Sequence, residues 1–221
     1  IDLLHGRSDQ ALLDEDEARE RLLAGYEYIF VDEYQDIDAK QYELVGALAG
    51  RRQRDADTKL NIMAVGDDDQ NIYGFKGASV EFIRRFEADY AGARTYLVEN
   101  FRSTQNIIAA ANHGIQRAAD RMKVDHPIRI NEARSKDPAG GRWAALDRAG
   151  KGCVRSLAAP PSANLQAQVV MQEVQRIRAA DPSTPLGQIA ILARTHRTLE
   201  PLRALCEEMG VRFELVSADS A

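Results

Sequence analysis

A short apolar run that ends at two adjacent carboxylates is the feature that most constrains this chain. Residues 28–31 (Tyr-Ile-Phe-Val) are β-branched or aromatic and are followed at once by Asp32 and Glu33. Such a run is typical of a buried strand in a parallel sheet, and ligands bind beyond the carboxyl ends of such strands. One carboxylate there can hold a Mg²⁺ ion that carries nucleotide phosphates, while the other polarises a water molecule. The alternative is a strand that ends in an ordinary solvated turn.

The composition is that of a globular chain. The 221 residues carry 29 Lys and Arg against 34 Asp and Glu, a net charge of −5. This balance argues against a protein that coats nucleic acid by charge alone, but a local basic groove remains compatible with it. No apolar run approaches the roughly 18 residues of a membrane span. Cys153 and Cys206 lack CxxC spacing, so we expect neither a disulfide nor a zinc site, and a cytoplasmic location.

A second strand, also predicted to be buried, leads into a loop that combines acids, glycines and aromatic residues. The strand covers residues 60–65, and residues 66–78 read Gly-Asp-Asp-Asp-Gln-Asn-Ile-Tyr-Gly-Phe-Lys-Gly-Ala. Exposed aromatic rings in such a loop suit a flat partner, and stacking on a nucleobase contributes about 1–3 kcal/mol per base. Tyr73 and Phe75 are therefore candidates for contact with nucleic acid. The alternative is that both rings pack into the core beneath the loop.

A third predicted strand, residues 94–98, runs into Asn-Phe-Arg-Ser-Thr at residues 100–104. We expect Ser103 to cap a helix over residues 105–121. An arginine just before a helix N-terminus is well placed to pair with a phosphate. Arg102 is therefore a candidate anion ligand, and a surface salt bridge is the alternative.

Helices and short strands alternate over the rest of the chain. Asp38 can cap a helix that ends at Gly50, and Ser79 can cap a second helix. Further helices are predicted over residues 164–180 and 199–209, strands over residues 189–193 and 211–215, and weaker strand-like pieces at Trp143 and over residues 153–157. Strand, helix and strand in this order predict βαβ units and an α/β fold with parallel sheets.

Three of these segments together resemble the motifs of a helicase family. Residues 31–36 (Val-Asp-Glu-Tyr-Gln-Asp), residues 65–78 and residues 100–104 are similar in order and spacing to motifs II, III and IV of UvrD/Rep/PcrA-type superfamily 1 DNA helicases. Residues 189–194 and the helix after them also look like the segment that follows motif IV in that family.

The resemblance implies a pair of RecA-like lobes, each a parallel sheet flanked by helices, with ATP between them and single-stranded DNA across the top. Residues 1–97 would form the second half of the first lobe. Residues 98–221 would form the first half of the second lobe.

The resemblance also implies roles in ATP hydrolysis for residues of all three motifs. Asp32 would hold Mg²⁺, and Glu33 would activate the attacking water. Gln70 would sense the γ-phosphate, and Phe101 would stack on the adenine. Arg102 would reach the γ-phosphate as an arginine finger, a role worth about 10³–10⁵ in rate in related phosphoryl transfers.

On the DNA side, the resemblance implies that Tyr73 and Phe75 stack on bases, with Lys76 beside them. Phe75 and Lys76 stand where the family commonly shows Trp and Arg. Phe is the smaller ring, and Lys makes no bidentate contact. Gln70 lies so close in sequence that one loop would touch both nucleotide and DNA, which is a route for coupling hydrolysis to movement.

Other parts of the family pattern are absent from the 221 residues. No GxxxxGK[ST] phosphate-binding loop occurs, motifs V and VI are not found, and the first residue is Ile1. We therefore expect a central fragment of an ATP-dependent DNA helicase that lacks ATPase activity by itself. The alternative is a non-catalytic module that binds single-stranded DNA or a partner through the Tyr73 and Phe75 loop. A helicase fused to a nuclease outside this chain also stays open.

Overall fold

The computed structural model describes residues 21–53 and 59–216, which form a mixed α/β fold in two compact units. The first unit contains the described residues up to Val98 together with Gly114–Pro127. The second contains Glu99–His113 and the described residues from Ile128 onward. The chain therefore passes from the first unit to the second, returns, and leaves again.

The first unit is built on two parallel strands. Its elements are β1 (Tyr28–Val31), a 3₁₀ turn (Tyr34–Asp36), α1 (Ala39–Ala49), β2 (Asn61–Ala64), two further 3₁₀ turns (Asp68–Gln70 and Gly74–Lys76) and α2 (Glu81–Tyr90). Tyr28 lies opposite Asn61 and Val31 lies opposite Ala64 in the parallel pair. The two strands predicted here, and the helix that connects them, are confirmed.

Helix α1 begins and ends where its local signals predict. The Asp38 side chain accepts hydrogen bonds from the backbone N–H groups of Lys40 and Gln41 at 2.7 and 2.8 Å. The Gln41 side chain accepts in return from the Asp38 N–H at 2.9 Å, which completes a capping box. Gly50 ends the helix with a left-handed backbone (φ 73°), a conformation that suits glycine.

The core of the first unit is aromatic. Tyr34, Ile37 and Tyr42 are buried, and side chains of α2 pack against them. The Tyr42 ring stacks on Phe82 at 4.2 Å between centroids, and its hydroxyl donates to Asp89 at 2.5 Å. Burial, together with this hydrogen bond, raises the pKa of Tyr42 to about 12. Helices α1 and α2 are thereby joined by both an apolar and a polar contact.

The expectation of strands buried on both faces is wrong. Val31 and Ala64 pack against the core, whereas Phe30 is 72% exposed and Met63 is 55% exposed. Side chains alternate between the two faces of a strand. The described residues cover only one face of this two-stranded sheet, so every second side chain points to the uncovered face.

The second unit contains a short parallel pair and several helices. Its elements are β3 (Glu99–Asn100), α3 (Gln105–Ile115), β4 (Arg129–Ile130), a 3₁₀ turn (Glu132–Arg134), α4 (Trp143–Leu146), α5 (Ala163–Ala180), a 3₁₀ turn (Leu186–Gln188) and α6 (His196–Glu208). Helices α5 and α6 pack on each other through a buried cluster of Ala167, Met171, Val174, Leu202 and Cys206. Both cysteines are free, and Cys153 is exposed.

Several predicted strands are absent from the described part of the chain. Residues 94–98, 153–157, 189–193 and 211–215 form no ladder, Trp143 begins α4, and α3 ends at Ile115 rather than near residue 121. Ile189, Ile191 and Val211 nevertheless pack against the α5–α6 cluster. An apolar run indicates burial, and here burial against helices replaces strand pairing.

Within the described ranges, no helix combines the length and the apolar character needed to cross a bilayer.

The capping box of α1 gives a test of the fold. Asp38→Ala removes the acceptor for two backbone N–H groups, so we expect the free energy of unfolding to fall by about 1 kcal/mol. Urea denaturation followed by circular dichroism measures this change. Lys40→Ala is the matched control, because its exposed side chain lies in the same turn. An unchanged urea midpoint in Asp38→Ala would contradict the capping role.

Candidate functional site

The parallel pairing brings the ends of β1 and β2 to one edge of the sheet. Beyond the strands, the Val65 N–H donates to the Val31 carbonyl at 2.8 Å, and the Tyr34 N–H donates to the Val65 carbonyl at 2.9 Å. These bonds place the segment after β1, which contains Asp32 and Glu33, beside the loop after β2.

Glu33 has a left-handed backbone, with φ 51° and ψ 42°. This conformation is uncommon for a residue with a side chain, and strained residues of this kind concentrate at functional sites. The Asp32 carboxylate accepts the Glu33 N–H at 2.9 Å and supports the turn. Both carboxylate side chains are exposed. The turn therefore presents two adjacent carboxylates at the edge of the sheet.

Gln35 connects the two strand-end segments and is almost completely buried, with 1% of its surface exposed. Its Nε2 donates to Glu33 Oε2 at 2.8 Å, and its Oε1 accepts the Asp67 N–H at 3.0 Å. Asp67 Oδ2 accepts in turn from Gln70 Nε2 at 2.7 Å. A continuous chain of hydrogen bonds thus runs from Glu33 through Gln35 and Asp67 to Gln70.

Asn71 makes a second connection between the same segments. Its Nδ2 donates to the Gln35 carbonyl at 2.6 Å and lies 3.4 Å from Asp36 Oδ1. Burial and the neighbouring Glu33 carboxylate raise the pKa of Asp36 above its ordinary value. Asn71 therefore holds the β2 loop against the backbone that carries Gln35.

Gly66 allows the close approach of the two segments. A Cβ atom at this position would lie 2.7 Å from Gln35 Oε1 and 2.9 Å from Ile83 Cδ1. The contact between the β2 loop and Gln35 thus requires a residue without a side chain here.

The three successive acids of the β2 loop form an acidic cluster (Asp67, Asp68 and Asp69). Their carboxylate oxygens come within 4.8 Å of one another, a spacing that can suit a metal ion. Two cations already lie against the cluster, because Arg121 binds Asp69 through two bonds of 2.8 and 2.6 Å and Lys123 Nζ lies 2.5 Å from Asp67. The hydrogen bonds from Arg121 lower the pKa of Asp69. We therefore interpret this cluster as an ion-paired contact.

The aromatic loop, residues 72–77, presents rings to solvent. Phe75 is 80% exposed and Tyr73 is half-buried, with 6.2 Å between the ring centroids. Lys76 Nζ lies 5.6 Å from the Tyr73 centroid and 6.0 Å from that of Phe75. The alternative that both rings pack into the core is wrong for Phe75. A cation and two rings here form one surface group.

Phe101 and Arg102 belong to the second unit. The Asn100 side chain accepts the N–H groups of Arg102 and Ser103 at 3.0 and 2.7 Å, and the Phe101 carbonyl accepts from Arg134 Nη1 at 2.6 Å. These bonds fix the backbone of the turn. The Phe101 ring is 68% exposed and the Arg102 side chain is also exposed, and both line an open depression.

Sequence reasoning missed Gln35, Asn71, Arg121 and Lys123. Gln35 and Asn71 stand inside the motifs, and their position there was the available signal. Arg121 and Lys123 gave none, because Arg121 lies 52 residues from Asp69 in the sequence. Opposite charge alone does not identify a partner at such a distance.

The comparison with protein families fits this site. Residues 1–91 match the family model of the UvrD/REP helicase N-terminal domain. That range contains both strands of the first sheet, the two adjacent carboxylates and the aromatic loop. Over this range the chain is similar to the N-terminal domain of UvrD/REP helicases.

Individual relatives agree with the family match. ATP-dependent DNA helicase UvrD1 of Mycobacterium tuberculosis is 34% identical over 192 residues, which cover 86% of this chain and 22% of that protein. ATP-dependent DNA helicase PcrA of Staphylococcus epidermidis is 45% identical over 97 residues, or 43% of this chain and 12% of that protein. PcrA of Leuconostoc citreum is 46% identical over 98 residues, covering 44% of this chain and 12% of that protein. The chain thus spans about a fifth or less of the length of these relatives.

Gly66 gives a test of the close approach. We expect Gly66→Ala to lower the free energy of unfolding by about 1–3 kcal/mol, because the added methyl group meets the buried Gln35 side chain and Ile83. Urea denaturation measures the change. In Gly187→Ala the added Cβ has open space around it, so this control should stay within about 0.5 kcal/mol of the original chain. Equal stability of the two variants would show that the loop does not need the glycine.

Proposed function

We propose that this chain is the central part of an ATP-dependent DNA helicase of the UvrD type. In this proposal, residues 1–97 and 98–221 contribute portions of two RecA-like lobes. The observation that carries the proposal is the hydrogen-bonded chain from Glu33 through Gln35 and Asp67 to Gln70. Through this chain, the position of the Glu33 carboxylate depends on the position of the Gln70 amide, and both are proposed to contact ATP or the attacking water.

Asp32, Glu33 and Gln70 form the nucleotide side of the proposed site. The Asp32 carboxylate is exposed at the sheet edge and is of the oxygen-ligand type that Mg²⁺ prefers, so it would hold the ion that accompanies ATP. Mg²⁺ would supply neutralisation of phosphate charge. Glu33 would orient the attacking water, and Gln70 would contact the γ-phosphate. The buried Gln35 amide sets the direction of the Glu33 carboxylate.

Phe101 and Arg102, in the second unit, are proposed as further nucleotide contacts. An exposed aromatic ring suits stacking on adenine, and a guanidinium suits pairing with phosphate oxygens. Their turn is held by the Asn100 side chain and by Arg134, which supports a fixed presentation of both groups.

The aromatic loop would form the contact with single-stranded DNA. Tyr73 and Phe75 offer flat surfaces to bases, and Lys76 offers a cation to the backbone phosphates. Gln70 and Tyr73 are separated by two residues, so nucleotide and DNA would meet the same short segment. Movement of that segment on hydrolysis would shift the stacked bases.

A second candidate is a non-catalytic module that binds single-stranded DNA. The exposed Phe75, together with a sequence of 221 residues that has no GxxxxGK[ST] loop, favours this reading of the isolated chain. The two candidates share the DNA contact and differ in ATP hydrolysis.

DNA binding is tested by fluorescence anisotropy with a labelled single-stranded oligonucleotide at two salt concentrations. We expect Tyr73→Ala combined with Phe75→Ala to weaken binding by about 1–3 kcal/mol per lost stacking contact and to leave the salt dependence nearly unchanged. Lys76→Ala should instead reduce the salt slope by roughly 0.7, the contribution of one phosphate contact on a single strand.

The matched control is Tyr26→Ala combined with Phe213→Ala, which removes an exposed Tyr and an exposed Phe outside the aromatic loop. If the test and control variants bind DNA equally, the aromatic loop does not contact the DNA.

ATP hydrolysis separates the two candidates. We expect no ATP turnover from the 221-residue chain, because the phosphate-binding loop of the helicase family is absent from its sequence. A phosphate-release assay with and without single-stranded DNA measures this. Turnover that disappears in Glu33→Gln would overturn the expectation and place hydrolysis within this chain.

A further inference from the structure

We propose that Arg121 and Lys123 are positioning residues for Gln70 and act through the acidic cluster of the β2 loop. The significance of Gln70 rests on the proposed function, in which it contacts the γ-phosphate. The positioning itself rests on the contacts within the first unit.

The basic segment, residues 121–123, matches the acidic cluster residue by residue. Arg121 binds Asp69 through both Nε and Nη2, and the Met122 N–H donates to Asp68 Oδ2 at 2.7 Å. Lys123 Nζ lies 2.5 Å from Asp67 Oδ1. Each of the three acids thus has its own donor in the basic segment.

Asp67 is the residue through which the basic segment reaches Gln70. Its Oδ1 contacts Lys123, its Oδ2 accepts from Gln70 Nε2 at 2.7 Å, and its N–H donates to Gln35. Rotation of the Asp67 carboxylate would therefore move the Gln70 amide. Lys123 holds that carboxylate in its present orientation.

The ion pairs are well shielded from solvent. The side chains of Arg121 and Asp69 are 12% and 11% exposed, and those of Lys123 and Asp67 are 15% and 18% exposed. Shielded pairs are screened less by salt than exposed ones, and loss of one partner leaves a charge without compensation. Three adjacent carboxylates without their cations would also repel one another. The loop would then rearrange around Asp67.

The side-chain amide of Gln70 gives a direct reading of its position by ¹H–¹⁵N NMR of the 221-residue chain. We expect Lys123→Met to shift this signal and to speed its hydrogen exchange at least tenfold, while the amide signal of Gln188 stays in place. Lys123→Arg should keep the Gln70 signal near its original position, because the charge is retained.

Two further variants make the experiment decisive. Arg203→Met breaks an exposed ion pair on α6, in which the side chains are 47% and 56% exposed, and should leave the Gln70 signal unchanged. Arg121→Lys keeps the charge but loses the two-bond geometry, so it should give an intermediate shift even where Lys123→Met does not fold.

An unmoved Gln70 signal in Arg121→Lys and Lys123→Met, alongside lower stability, would overturn the proposal and leave these residues a purely stabilising role. Failure of the proposed function has a different signature. In that case Gln70 moves as expected, but loss of Tyr73 and Phe75 leaves DNA binding unchanged.

Discussion

The parallel pairing of β1 with β2 carries the candidate site. Because both strands run in the same direction, their carboxyl ends meet at one edge, and the Tyr34 and Val65 backbone groups extend the pairing beyond the strands. Asp32, Glu33 and the β2 loop come together only through this arrangement. An antiparallel pair would have placed the two loops at opposite ends of the sheet. The buried Gln35 amide then converts proximity into a defined geometry by joining Glu33 to Asp67.

The parts that sequence predicts well are those with local causes. The capping box of α1, its end at Gly50 and the first two strands follow from residues a few positions apart. The sequence also identifies candidate ligand contacts, because the order and spacing of motifs are local properties of the chain. These candidates are the adjacent carboxylates, Phe75 and the turn at Arg102. Their proposed roles come from the resemblance to UvrD-type helicases.

The parts that sequence missed depend on contacts between distant residues. Ile189, Ile191 and Val211 form apolar runs that resemble strands, yet they meet the α5–α6 cluster without a pairing partner. Phe30 and Met63 were expected to be buried, but a strand pattern does not reveal whether the second face of a sheet is covered. Nor does a local pattern show that Asp69 belongs with Arg121. Each of these outcomes is set by which surfaces meet in space.

The acidic cluster is synthesised before the basic segment that binds it. Asp69 and Asp68 leave the ribosome 52 and 54 residues ahead of their partners in the basic segment. At about 5–20 residues per second this interval lasts about 3–10 s, during which three neighbouring negative charges repel one another. The strands can already pair during that time. The β2 loop therefore gains the donors that neutralise its carboxylates only after α3 has been synthesised.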